Sequence, residues 1–276
     1  MNQTARTGPA ETGCFPGRQA AWRRGELAAV LHRELRLLTR DRTNLLLAVV
    51  PTGAYIMLFA TSLAHLLPGV SYHGRIIGYP EFVVPGLLFS SLLAASTTAG
   101  TALFQERLGN MTLELSSYPS RRSFFIAGKL IAGSALVLAQ TLAALIVSAL
   151  VLPVHWSAGQ WAALLTGVMA TAPAFNCLYL LLAASVRDFQ RFMVLVNVLT
   201  PILLFASPAF YPADRMAASV RWLQFVNPVT YGVGVLRDSV LFGLSSDWLP
   251  LAAFAAVAAG AGALVSQALR RQSRDL

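Results

Sequence analysis

The chain has 276 residues, 56% of them hydrophobic and only 12% charged, with a mean hydropathy of +0.60 and a formal net charge of +9. A soluble domain carries about twice that charged fraction, so the composition excludes an ordinary soluble fold and points to an all-α integral membrane protein. The basic residues cluster beside the apolar runs, where membrane orientation and anionic lipid headgroups account for them, so membrane lipids rather than nucleic acid are the expected contact.

Residues 1–20 lack the apolar core of a signal peptide and read as a disordered tail, ahead of one transmembrane domain over residues 21–276. The stretch "ELAAVLHRELRLLTRDR", Glu26 to Arg42, puts Leu27, Val30, Leu31, Leu35 and Leu38 on one helical face. It reads as an amphipathic helix in the inner interface, with a cytosolic extension of the first span as the alternative. Six spans follow, at about 44–67, 81–104, 129–152, 160–185, 192–207 and 248–269. The fifth is interrupted by Pro201 and Pro208. Seventeen of the 21 basic residues precede span one, follow span six, or lie between spans two and three or four and five. The positive-inside rule then places both termini in the cytoplasm.

Residues 208–247, between the last two spans, are too apolar for a plain loop and too polar to cross. They read as a helical hairpin dipping into the outer leaflet without crossing, a re-entrant element. Met216, Val220, Leu223 and Val226 form the apolar side of its first arm. In the second arm Asn227 is the N-cap, Pro228 the first helical residue and Gly243 the stop. Val229, Val233, Leu236 and Val240 form its stripe. Arg237 and Asp238 are expected near the outer interface, where charge costs less than at the midplane.

The absences narrow the chemistry. The apolar spans hold almost no ionisable group at depth, against what proton- or ion-coupled transport usually requires. His32, His65, His73 and His155 are scattered, and Cys14 and Cys177 have no metal-ligand spacing. No G-x-x-x-x-G-K-[ST] phosphate loop is present, so the chain is not expected to bind ATP in that way or to act as an enzyme. Such a protein is a scaffold, or draws its energy from a partner through a cytoplasmic docking surface. A membrane-embedded transferase is disfavoured by the lack of a clustered acid or histidine site. The loop from Gln105 to Gly128 is the docking candidate: Leu108, Met111 and Leu115 share a helical face before Pro119 ends it. An ordinary solvated connector is the other reading of that loop.

Four motifs in order carry a family resemblance. They are "YPEFVVPGLL" from Tyr79, "ERLGNMTLELSSYPSRRSFFIAGKL" from Glu106, "SPAFYP" from Ser207 and "NPVTYGVGVLRD" from Asn227. Together they resemble the membrane subunit of a type-2 ABC exporter, a class that includes permeases for drugs, antibiotics, glycans and lipids. The resemblance covers nearly the whole chain from about Leu27. In this chain an insertion separates Gly109 from Thr112 where the family has them adjacent.

The resemblance implies a separate ATPase subunit that holds ATP and magnesium, and a second permease copy or sister permease beside this one. It implies that Glu106, Arg107, Leu113 and Glu114 belong to the ATPase-coupling loop. Asn227, Pro228, Tyr231 and Arg237 are then expected in an outer gate. Ser96, Thr97, Thr98, Asn176 and Asn197 are polar groups available at depth, either lining the route or hydrogen-bonding between helices. The expected substrate is amphipathic, with drug or antibiotic export placed ahead of glycan or lipid-linked polymer export.

Overall fold

The computed structural model describes residues 69–108, 122–152, 156–243 and 248–272, with positions 32, 50 and 53–54. The tail, nearly all of the Glu26–Arg42 helix and of the first span, and the positions of Leu113 and Glu114 lie outside the described residues.

The described fold opens on a small antiparallel hairpin, β1 (Val70–Tyr72) and β2 (Arg75–Ile77), with Tyr72 paired to Arg75. His73 and Gly74 form its turn with φ of 48° and 74°. Two consecutive left-handed residues match the right-handed twist of a two-residue hairpin, and glycine takes the second without steric cost.

Long helices follow: α1 (Tyr79–Leu108), α2 (Arg122–Val151), α3 (Ala158–Ser185) and α4 (Phe189–Phe205). A 3-10 turn at Ala213–Arg215 and two four-residue helices, Ala218–Arg221 and Leu223–Val226, lead to α5 (Pro228–Phe242) and α6 (Trp248–Gln272).

The sequence sets the helix starts locally. Ser157 and Gln160 close a reciprocal capping box at α3: the Gln160 amide donates to Ser157 Oγ at 3.3 Å, and the Ser157 amide to Gln160 Oε1 at 2.7 Å. The Asp188 carboxylate caps α4, accepting from the Gln190 amide at 3.0 Å. Asn227 caps α5 by accepting from the Val229 amide at 2.9 Å, and Pro228 occupies the first turn, where its missing N–H costs nothing.

Four helices among the described residues are long and apolar enough to cross a membrane: Tyr79–Leu108, Leu130–Val151, Ala158–Ser185 and Trp248–Ala268. At 1.5 Å per residue the 30 residues of α1 reach about 45 Å, beyond the roughly 30 Å hydrocarbon core. The 17 residues of α4 reach about 26 Å.

The most apolar window of α1 is 78% buried and that of α6 only 17%, so α1 is interior and α6 faces outward. α6 packs along α3, and α1 packs on both α3 and α2. α5 lies against α3 and α1. In lipid no hydrophobic gain drives helices together, so close contact falls to small residues. A Cβ on Gly100 of α1 would stand 3.2 Å from the Tyr179 carbonyl oxygen of α3, which shows how nearly the two backbones touch.

The 208–247 segment departs from a two-helix hairpin in its first arm. Arg221 donates to the carbonyls of Asp214 and Met216, folding the chain back into short turns. Met216 is buried, but Val226, expected on the same stripe, is 74% exposed.

Candidate functional site

Two arginines, one near each end of α1, organise the polar chemistry. Phe82 and Arg107 are 25 residues apart on that helix, roughly 38 Å of axial rise.

At the first end, α5 runs beside α1 and α3. Val229, Val233, Leu236 and Val240 are all buried, as their spacing requires of one helical face. Gly232 packs so closely under Phe89 that a Cβ would come 2.3 Å from the ring, and Phe89 lies ten residues past Tyr79, about 15 Å along α1. At the α5 N-terminus the Asn227 side chain donates to the Leu203 carbonyl of α4 at 2.5 Å. Toward its C-terminus the Gln160 side chain donates to the Val240 carbonyl at 2.6 Å, tying α5 to the start of α3. Gly243 ends the helix with φ of 61°.

Arg237 is enclosed by protein near the Tyr79 end of α1. It is 2% exposed and among the largest fully buried side chains. Its Nε donates to the Phe82 carbonyl at 3.2 Å, and its Nη2 to the carbonyls of Pro208 at 2.8 Å and Ala209 at 3.2 Å. The guanidinium carbon stands 3.7 Å from the Phe82 ring centroid and 5.2 Å from that of Tyr72. A buried cation of this kind requires acceptors, and an irregular stretch of backbone supplies them. The turn at 206–210 follows the end of α4, where carbonyls have lost their helical donors. Gly86 lets that turn approach: a Cβ there would lie 2.3 Å from the Ala209 oxygen. Tyr79 adds a third tie, donating to the Phe210 carbonyl at 3.1 Å.

The hairpin covers this node. Tyr72 donates its phenol to Asp238 Oδ1 at 2.8 Å, and His73 Nε2 stands 4.0 Å from the same oxygen. Burial, and then the Asp238 carboxylate, push the Tyr72 phenol well above its ordinary 10.0, against the opposing pull of Arg237. The phenol therefore remains a donor. Arg75 lies over the Phe242 ring at 5.4 Å. Tyr231, by contrast, is 53% exposed and donates to the nearby Phe225 carbonyl at 2.8 Å.

At the other end, Glu106 and Arg107 are the last turn of α1 rather than the start of a loop. Gln, Glu and Arg are good helix formers and simply continue the helix. Arg107 Nη1 donates to the Ala183 carbonyl, and to that of Val186 at 3.4 Å, at the C-terminus of α3. Its guanidinium lies 5.2 Å over Phe104, which stacks on Phe192 of α4 at 5.2 Å.

The polar residues of the spans are placed as follows. Ser96, Thr97 and Thr98 each donate to the carbonyl four residues back in α1. Asn176 is buried and bridges helices, donating to Ser134 Oγ at 3.1 Å and to the Leu130 carbonyl at 3.4 Å; its Oδ1 has no hydrogen-bond partner among the described residues. Asn197 is exposed on α4. The Tyr179–Thr200 hydroxyl pair, at 2.7 Å, is a second bridge that sequence reading missed, because neither residue has a distinctive spacing. Among the described residues no group of three or more His, Cys, Asp or Glu is placed to hold a metal.

Residues 25–241 match the family model described as ABC-2 type transporter, the membrane domain of these transporters. The chain belongs to this family. A comparison with curated proteins finds no match. An ABC-2 membrane domain is the permease subunit of a type-2 ABC transporter, a multi-pass transport subunit that lacks the ATPase site and normally pairs with an ABC ATPase subunit. In this ABC-2 domain the two arginine nodes hold the apolar helices at either end of α1.

Proposed function

We propose that this chain is the permease subunit of an ATP-driven export complex in the cytoplasmic membrane. It moves an amphipathic substrate, a drug or antibiotic in preference to a glycan, while a separate subunit binds ATP and magnesium and hydrolyses the nucleotide. A second permease copy or a sister permease completes the route. The observation that carries this reading is the family match over residues 25–241 in a chain whose sequence holds no phosphate loop.

Six spans with both termini cytoplasmic fit the distribution of basic residues. The placement of α5 alongside α1 and α3, with Gly232, one turn past its start, against Phe89, supports a re-entrant element. A capped helix start at that depth is tolerated only against protein or a water-filled cavity. Asn227, Pro228, Tyr231 and Arg237 then belong to the outer gate, and Glu106 to Glu114 to the ATPase-docking region.

The test is hydrolysis of ATP by the assembled complex. Replacing Glu106 and Glu114 together with Ala is expected to abolish the permease-dependent stimulation of the ATPase while membrane insertion stays at parent level. Unchanged stimulation in the double variant would remove the docking assignment.

A further inference from the structure

Arg107 stands one residue beyond Glu106, and its side chain reaches from the end of α1 to the end of α3. It joins three helices. Its backbone belongs to α1, and its Nη1 serves the Ala183 and Val186 carbonyls of α3. Its guanidinium lies over Phe104, whose ring stacks on Phe192 with an interplanar angle of 21° and meets Phe189 at 5.6 Å, both on α4.

Ala183 lies in the last turn of α3, where carbonyls run out of helical donors and the helix dipole is negative. A cation there is favoured on both counts. Beyond Val186 only Arg187 separates α3 from the Asp188 cap of α4. Arg107 therefore grips the α3–α4 turn at its root. A few residues earlier, α1 and α3 are already in near-backbone contact at Gly100. The three helix ends pack together around the Arg107 guanidinium.

We infer that Arg107 is a positioning residue that transmits displacement of the α1 end to α3 and α4. This rests on the proposed docking of an ATPase beside Glu106. When the partner moves the end of α1, a rigid cation-to-carbonyl link carries the α3–α4 turn with it. Without the link the end of α1 moves alone. The chain of contact runs on through α4 to Leu203, whose carbonyl holds Asn227 at the start of α5. The device thus connects the docking end to the gate through helices that Arg107 ties together at their docking end.

The experiment uses the full chain, with the nucleotide-binding subunit that copurifies with it, in lipid nanodiscs open on both sides. A cysteine replacing exposed Phe225, in a background with Cys14→Ser and Cys177→Ala, is labelled with a fluorescent maleimide, with and without ATP plus vanadate. The parent is expected to change its labelling rate with nucleotide. In Arg107→Ala, read only on complexes isolated with the ATPase bound, the nucleotide-dependent change falls about tenfold, within the usual range of coupling between sites. Arg107→Lys keeps charge and a donor but not the plane over Phe104, and falls between the two. It also serves as the second variant should the alanine form misfold. A full nucleotide response in either variant, even with a lowered unfolding temperature, overturns the inference and reduces Arg107 to a structural cap. A parent that holds no ATPase, or shows no nucleotide response, overturns the proposed function first and the inference with it.

Discussion

Replacing Arg237 with Met tests the fold where the structure commits itself most heavily. The variant keeps an unbranched side chain of similar reach and removes the charge. The carbonyls of Pro208 and Ala209 then lose the donor at 2.8 and 3.2 Å, the first left part-buried and the second buried. Each orphaned acceptor costs about 1–3 kcal/mol. The contact with the Phe82 ring at 3.7 Å is worth about 2 kcal/mol in a desolvated site. Removing the cation also relieves its own desolvation, which offsets part of the loss. The groups left behind are neutral carbonyls rather than a charge, so the net falls below the roughly 3–5 kcal/mol of a broken buried ion pair. A value of about 2–4 kcal/mol results, or roughly 10 °C in apparent Tm on the scale of domains this large. The assay is thermal unfolding in detergent at a fixed scan rate, read by a thiol-reactive dye on buried Cys177 in a Cys14→Ser background. Exposed Arg215→Met is the control, expected to change stability by less than about 0.5 kcal/mol. An Arg237→Met protein melting within about 2 °C of its parent would refute the reasoning.

Further outcomes follow from the same packing. Gly86→Ala forces a Cβ against the Ala209 backbone and Gly232→Ala forces one against the Phe89 ring. The first is expected to lower apparent stability by about 1–3 kcal/mol, and Phe89→Leu should partly rescue the second but not the first; dye-monitored melting of the double variants checks this. Tyr72→Phe should change the alkaline limb of stability. The folded phenol is held above its ordinary 10.0, so its stabilising contribution is complete below pH 10 and is lost as pH rises beyond it, where only the unfolded phenol ionises. The parent should therefore lose more stability above pH 10 than the Phe variant, and equal slopes in pH-dependent melting would contradict the assignment. Asn176→Leu removes an interhelical amide and is expected to cost no more than about 2 kcal/mol in the same melting assay, since bonds of this kind within membranes are modest.

Much of α5 was legible in the sequence. Asn227 and Pro228 mark its start by capping chemistry, Gly243 marks its end, and four valines and leucines at helical spacing mark its buried face. The burial of Arg237 was not legible because it depends on acceptors that no residue type announces. They are backbone carbonyls of Phe82, Pro208 and Ala209, brought within reach by an irregular turn and by Gly86, and neither is visible from the neighbours of Arg237 in the chain. Arg107 shows the same gap at the other end. Its partners are the free carbonyls of a helix terminus 76 residues away, and the polar run Gln105–Arg107 looked like a loop although it is a good helix sequence. The hairpin escaped notice because three-residue strands give too short an alternation, and its only signal was His73–Gly74.

The central claim is that this membrane chain is driven by a separate ATPase. It is tested most directly by purifying the full chain from its native membrane in mild detergent and measuring vanadate-sensitive ATP hydrolysis and subunit stoichiometry together. The account predicts a nucleotide-binding subunit in stoichiometric amount, with hydrolysis that is lost when the two are separated. A pure, folded permease with neither an ATPase partner nor nucleotide hydrolysis would contradict it.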